Sequence, residues 1–213
     1  MTVIGIGTAG ANIASLVPHI SNLKAITLDA GAGVTVCSSH EEYEKSGPAV
    51  AKKLKLSKAE ELTVVLCGAE KVTGITLSLL EKFKDKKITI IYIQPDEFFL
   101  SKTQKLQHRV VFNVLQQYAR SGLLDSMYIF SNKSIESFVG GGSISNLYDK
   151  INGVIANFIV TMDWFSTERS VVGSLHEPKD ISRIRTVSLA ELSESQENMF
   201  FDIENITESC FYY

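Results

Sequence analysis

The sequence predicts an α/β fold: a three-layer, Rossmann-like sandwich built on a mostly parallel sheet. Three observations carry this. Short β-branched runs alternate with helical patterns along most of the chain, as in βαβ units. The strand runs are apolar on both faces, which suits strands buried between two helix layers. The first run leads straight into a glycine-rich turn, GIGTAGANI at residues 5–13, and then into a helical pattern.

Strands are expected at Thr2–Ile6, Ala25–Leu28, Thr63–Cys67, Ile88–Ile93 and Ser126–Phe130. Helices are expected between them, at Ala11–Ile20, Ala49–Leu56, Ile75–Phe83 and Thr103–Ser121. Gly140, Gly141 and Gly142 form a flexible turn. Beyond it, Ile144, Leu147, Ile151, Ile155 and Phe158 recur at steps of three and four, predicting a long amphipathic helix over 144–160. Residues 161–179 read as an irregular excursion, with Pro178 near its end.

With 213 residues and 45% apolar composition, the chain is long and apolar enough for one large domain with a full core. The charge is uneven. Ser188 to Tyr213 holds six acidic residues and no Lys or Arg, together with Phe200, Phe201, Phe211, Tyr212 and Tyr213. The first 187 residues carry 18 acidic and 21 basic groups, a balance that does not ask for nucleic acid as partner. Residues 1–187 are therefore read as the domain and 188–213 as an acidic, aromatic C-terminal segment. That segment folds back onto its own core or enters a partner's pocket. Cys37, Cys67 and Cys210 are far apart and form no C-x-x-C pair, so thiols in a reducing, cytoplasmic compartment are expected. Should the chain be viral, that means a virion or host cytoplasm. No run approaches the ~18 apolar residues of a membrane span, and the four histidines show no ligand spacing, so neither membrane nor metal site is expected.

A glycine-rich turn between strand and helix brings backbone N–H groups close to a phosphate. Gly5, Gly7 and Gly10 fit G-x-G-x-x-G, and Asp29 stands 19 residues after Gly10, near where a dinucleotide-binding fold places its ribose-binding acid. An NAD-binding oxidoreductase is thus one reading, though the chain offers no convincing His or Tyr-x-x-x-Lys for its acid–base step. Other residues point elsewhere. Asn12 interrupts the apolar start of the helix, Thr27-Leu28-Asp29-Ala30 ends the second strand, and a second glycine turn, Gly68 to Gly74, follows the third. Pro95 follows the fourth strand. The stretch from Arg109 leads through a helix, Asp125 and a strand to Ser131-Asn132.

In this order the motifs resemble the nucleotide-binding domain of the tubulin/FtsZ family, over roughly residues 1–187. The resemblance implies that Gly5, Gly7, Thr8, Gly10, Asn12, Asp29, Gly68, Lys71, Thr73, Gly74, Arg109, Asn132 and Asn146 face a guanine nucleotide, GTP or GDP with Mg²⁺. It also implies self-association, because the family inserts a catalytic loop into the neighbouring subunit's site. PKDISRIRTV, residues 178–187, fits that loop's frame, with Asp180 at the first catalytic acid.

Two departures alter the expectation. The family's G-G-G-T-G-[ST]-G loop reads here as Gly68-Ala69-Glu70-Lys71-Val72-Thr73-Gly74. Three glycines have become Cβ-bearing residues, and Glu70 sets a carboxylate beside any phosphate. Such like charges repel by about 1–4 kcal/mol at a partly exposed site, with Lys71 as a possible offset. In the catalytic loop Pro178 stands for the family's Asn and Arg183 for its second acid. The 26 residues after Val187 leave no room for the family's second domain.

The expected protein is therefore a divergent relative with weak or lost GTP hydrolysis. It would act as a structural or assembly component, by self-association or through another protein partner docked on the C-terminal segment. A working GTP-binding filament or switch is the alternative, and no cofactor at all is the alternative to GTP. Plainer roles stand beside these: the glycines as packing residues, Asp29 and Asp180 as helix caps, and Arg109, Asn146 and the Lys52–Lys58 run as solvated surface.

Overall fold

The computed structural model describes residues 1–56, 61–140, 144–167, 179–190 and 197–210. Its first strand, β1 (Thr2–Ile6), is buried along its whole length and runs into α1 (Gly7–Ile20). Then come β2 (Lys24–Ala30), the two-residue β3 (Gly33–Val34) and α2 (His40–Lys53). β4 (Leu62–Cys67) leads through a 3₁₀ turn, Lys71–Ile75, into α3 (Thr76–Lys82). β5 (Ile88–Gln94), a 3₁₀ turn at Glu97–Phe99 and α4 (Lys102–Arg120) follow. β6 (Ser126–Ser131), α5 (Asn132–Val139), α6 (Ile144–Thr167) and β7 (Ile184–Arg185) complete the body. A small antiparallel pair, β8 (Ser188–Ala190) and β9 (Glu197–Met199), lies beyond it.

The sheet has seven strands in the order β3-β2-β1-β4-β5-β6-β7, and all its pairings are parallel. The chain winds outward from β1 in one direction to β3, then returns to β4 and winds the other way. β1 and β4 therefore flank the switch point, where α/β sheets open a crevice at their carboxyl ends. Successive side chains alternate between two cores. Ile4, Ile6, Val64 and Tyr92 face a cluster completed by α2, α3 and α4 residues such as Tyr43, Leu79 and Leu115. Val3, Val65, Ile91 and Phe130 face a second, built with Ile13 and Val17 of α1 and Ile151 and Ile155 of α6. This two-sided burial is the predicted three-layer α/β arrangement.

Several elements differ from expectation. α2 starts nine residues earlier than predicted, at His40, because the Ser39 hydroxyl caps it by accepting from the Glu42 N–H. Pro48 lies inside that helix. α6 runs through the first part of the expected excursion to Thr167, where the Thr167 hydroxyl donates to the Asp163 carbonyl. Pro178, Gly141 and Gly142 fall outside the described residues, as do Phe211, Tyr212 and Tyr213. The described part of the C-terminal segment is tied to the body. Phe200 is 1% exposed, stacks near Phe130 and Phe138, and its carbonyl accepts from the Ser131 N–H at the end of β6. Among the described residues, no helix is long and apolar enough to cross a membrane.

Candidate functional site

The crevice between β1 and β4 is where the glycine turn and the altered loop meet. Gly5 and Gly10 are packing residues. A Cβ on Gly5 would overlap the Gly10 carbonyl, and one on Gly10 would overlap the Val65 carbonyl of β4. Gly7 has a different task. Its φ of 78° lies in the left-handed region, and a Cβ there would overlap the Glu70 carboxylate.

Glu70 reaches this point from the far side of the switch. α1 begins after Ile6, whose side chain cannot cap it, and no acidic residue lies in its first turn. The helix thus starts with free N–H donors and an uncompensated positive dipole end. Glu70 supplies what the local sequence lacks. Its Oε2 accepts from the Thr8 N–H at 2.5 Å and its Oε1 from the Ala9 N–H at 3.1 Å. The carboxyl is mostly buried, and burial pushes its pKa up from the ordinary 4.5; the two amides pull it down, and nearby Asp29 pushes it up further. Asp29, at the end of β2, accepts from the Thr8 hydroxyl at 3.1 Å and so steadies the same turn.

The loop that carries Glu70 is itself held. The Glu70 carbonyl accepts from the Thr73 hydroxyl at 2.7 Å and from Gln107 Nε2 of α4 at 2.7 Å, while Gln107 also donates to the Gly68 carbonyl at 3.1 Å. Gly68 has no room for a Cβ because the Tyr92 hydroxyl lies there, and Gly74 none because the His40 carbonyl does. Beneath the loop the Tyr92 hydroxyl and His108 Nδ1 are 2.7 Å apart. Burial raises the Tyr92 pKa, lowers that of His108 and pushes the Cys67 thiol up to about 12. Lys71 turns away, donating to the Ser38 carbonyl before α2 at 2.8 Å.

The remaining predicted residues sit apart from the Glu70 contacts. Asn12 is exposed on α1, and Asn146 is exposed on α6. Arg109 is exposed on α4 and meets Glu97 at 3.5 Å. Asn132 opens α5 at the carboxyl end of β6, the same edge of the sheet as Gly7. Asp180 is exposed at the opposite, amino edge. It stands just before Ile184, which pairs with Met127 near the start of β6. There Arg183 donates to the Leu124 and Asp125 carbonyls at 2.9 and 3.2 Å. The Glu208 carboxylate accepts from the Lys179 N–H and the Ser182 hydroxyl. Among the described residues, no group of three or more His, Cys, Asp or Glu is placed to hold a metal ion.

Gln107 and the bonding role of Glu70 escape a reading of the sequence. The one local signal is the lack of a capping side chain before Gly7, which calls for a partner from elsewhere. In this arrangement the crevice does not fit a nucleotide phosphate at the start of α1, because a carboxylate already takes both amides.

Fold and site together define a doubly wound, Rossmann-like α/β domain in which Glu70 caps the glycine turn that opens α1. No protein-family model matches the sequence, and no curated protein matches it. In structure, the chain is similar to the FtsZ dimer, empty, of M. jannaschii, at a TM-score of 0.62 and 16% identity over 81% of this chain. The fold is thus tubulin/FtsZ-like, and the chain spans 56% of the length of that FtsZ chain.

Proposed function

We propose that this chain is a divergent protein of tubulin/FtsZ-like fold with weak or lost GTP hydrolysis, working as a structural or assembly component. The observation that carries this is the Glu70 carboxylate on the Thr8 and Ala9 amides, where the first glycine turn would otherwise meet a phosphate. Arg183 supports it, because a cation bonded to two backbone carbonyls cannot polarise an attacking water as an acid would.

Assembly through the chain's own surfaces fits the layout of the sheet. The glycine turns lie on its carboxyl edge and the Asp180 segment on its amino edge, so one copy's amino edge can meet the next copy's carboxyl edge. Such a contact is heterologous, and it builds a filament or a ring according to the rotation between successive copies.

The test is nucleotide-dependent pelleting together with GTP turnover by the purified protein in the presence of Mg²⁺. Turnover at background and pelleting indifferent to GTP or GDP are expected. Calorimetry should find no tight GDP binding by the native chain and a measurable gain in Glu70→Gly. Robust GTP hydrolysis by the native chain would overturn the reading in favour of a working GTP-binding filament or switch.

A further inference from the structure

We infer that Glu70 is a tethered ligand: its carboxylate fills, from within the chain, the anion seat made by the Thr8 and Ala9 amides, and so keeps the β1–α1 and β4–α3 turns closed without a nucleotide. The inference rests on the reading above and names how that site is held shut.

Four observations converge on it. The two carboxylate oxygens take one amide each, so the group is seated as a bound anion would be. Gly7 leaves the space the carboxylate occupies, and a Cβ there would expel it. Ile6 gives α1 no side-chain cap, so the helix depends on this distant acceptor. The backbone of Glu70 is clamped by Thr73 and Gln107, so the side chain is delivered from a fixed base and little freedom is lost in seating it. The neighbouring charged groups leave the two amides to Glu70. Asp29 grips the Thr8 hydroxyl rather than the amides, and Lys71 is engaged at Ser38, on the α2 side of the loop.

A carboxylate that acts as a ligand can be replaced by one. In Glu70→Ala the Thr8 and Ala9 amides should exchange their hydrogens faster, by about ten-fold or more, the size of one charge-assisted hydrogen bond. Acetate or inorganic phosphate, added against chloride at matched ionic strength, should slow that exchange again and raise the melting temperature along a saturating curve. The native chain should respond to neither. Glu70→Gln keeps the shape but only one acceptor oxygen, and it should leave one of the two amides fast. It also serves if Glu70→Ala does not fold.

Exchange at Thr8 and Ala9 as slow in both variants as in the native chain would overturn the inference. So would a destabilised Glu70→Ala that acetate and phosphate restore no better than chloride. GTP turnover by the native chain is a separate measurement. It can sink the functional reading while the exchange pattern stands.

Discussion

The two edges of the sheet treat charged residues in opposite ways. At the carboxyl edge, Glu70 is mostly buried and both its oxygens are bonded to the start of α1. At the amino edge, Asp180 is exposed, and the ordering falls to Arg183 and Glu208, which bond the backbone around it. Both edges depart from the sequence pattern of the family the chain resembles, and at both the departing residue has found a partner inside the chain. A substitution that removes an expected chemistry can thus become a tertiary tie. How much the tie matters depends on burial: a bonded charge in a low-dielectric crevice is costly to leave unpaired, and one at the surface is not.

Mutations can break this contrast in order of size. Gly5→Val should have the largest effect. It drives a side chain into the Gly10 carbonyl and the Ala14 methyl and should cost about 3 kcal/mol or more, read as a large drop in melting temperature by circular dichroism. Arg183→Ala comes next, at about 1–1.5 kcal/mol in urea unfolding, because two backbone carbonyls lose a charged donor. Asp180→Asn, measured beside it, should stay within about 0.5 kcal/mol as an exposed change. A larger cost for Asp180→Asn than for Arg183→Ala would reverse the ordering drawn for the amino edge.

The smallest effect is a slope. Burial raises the Glu70 pKa above 4.5, so the folded chain keeps this proton to higher pH than the unfolded chain does. Stability from the group is then fully present below about pH 4.5 and is lost as pH rises through the raised value. Asp29 pushes in the same direction, and Lys71 on the same loop is bonded to the Ser38 carbonyl. Native protein should therefore lose stability relative to Glu70→Gln as pH climbs above about 4.5. Parallel pH profiles for the two proteins would remove Glu70 from the account.

Much of the fold could be read from local pattern. The five long strands and the first glycine turn stand out because β-branched runs and glycine spacing are short-range signals. The start of α2 escaped, because the helix is capped by Ser39 and carries Pro48 in its interior. β7 escaped because two residues make no pattern, and α5 because Asn132–Val139 is short and mixed in polarity. At the site, Glu70 could be seen to oppose a phosphate. Its bond to α1 could not be seen, since Thr8 and Glu70 are 62 positions apart and only the β1–β4 pairing brings them together. The grip of Gln107 is hidden for the same reason.

That separation also sets an order of events. α1 is made before β4, yet its opening amides have no acceptor until β4 has been synthesised, paired with β1, and passed Glu70 across the switch point. Closing so long a loop delays any contact that depends on it. During synthesis the amides of the glycine turn are therefore without this acceptor, and they gain it only when the centre of the sheet is in place.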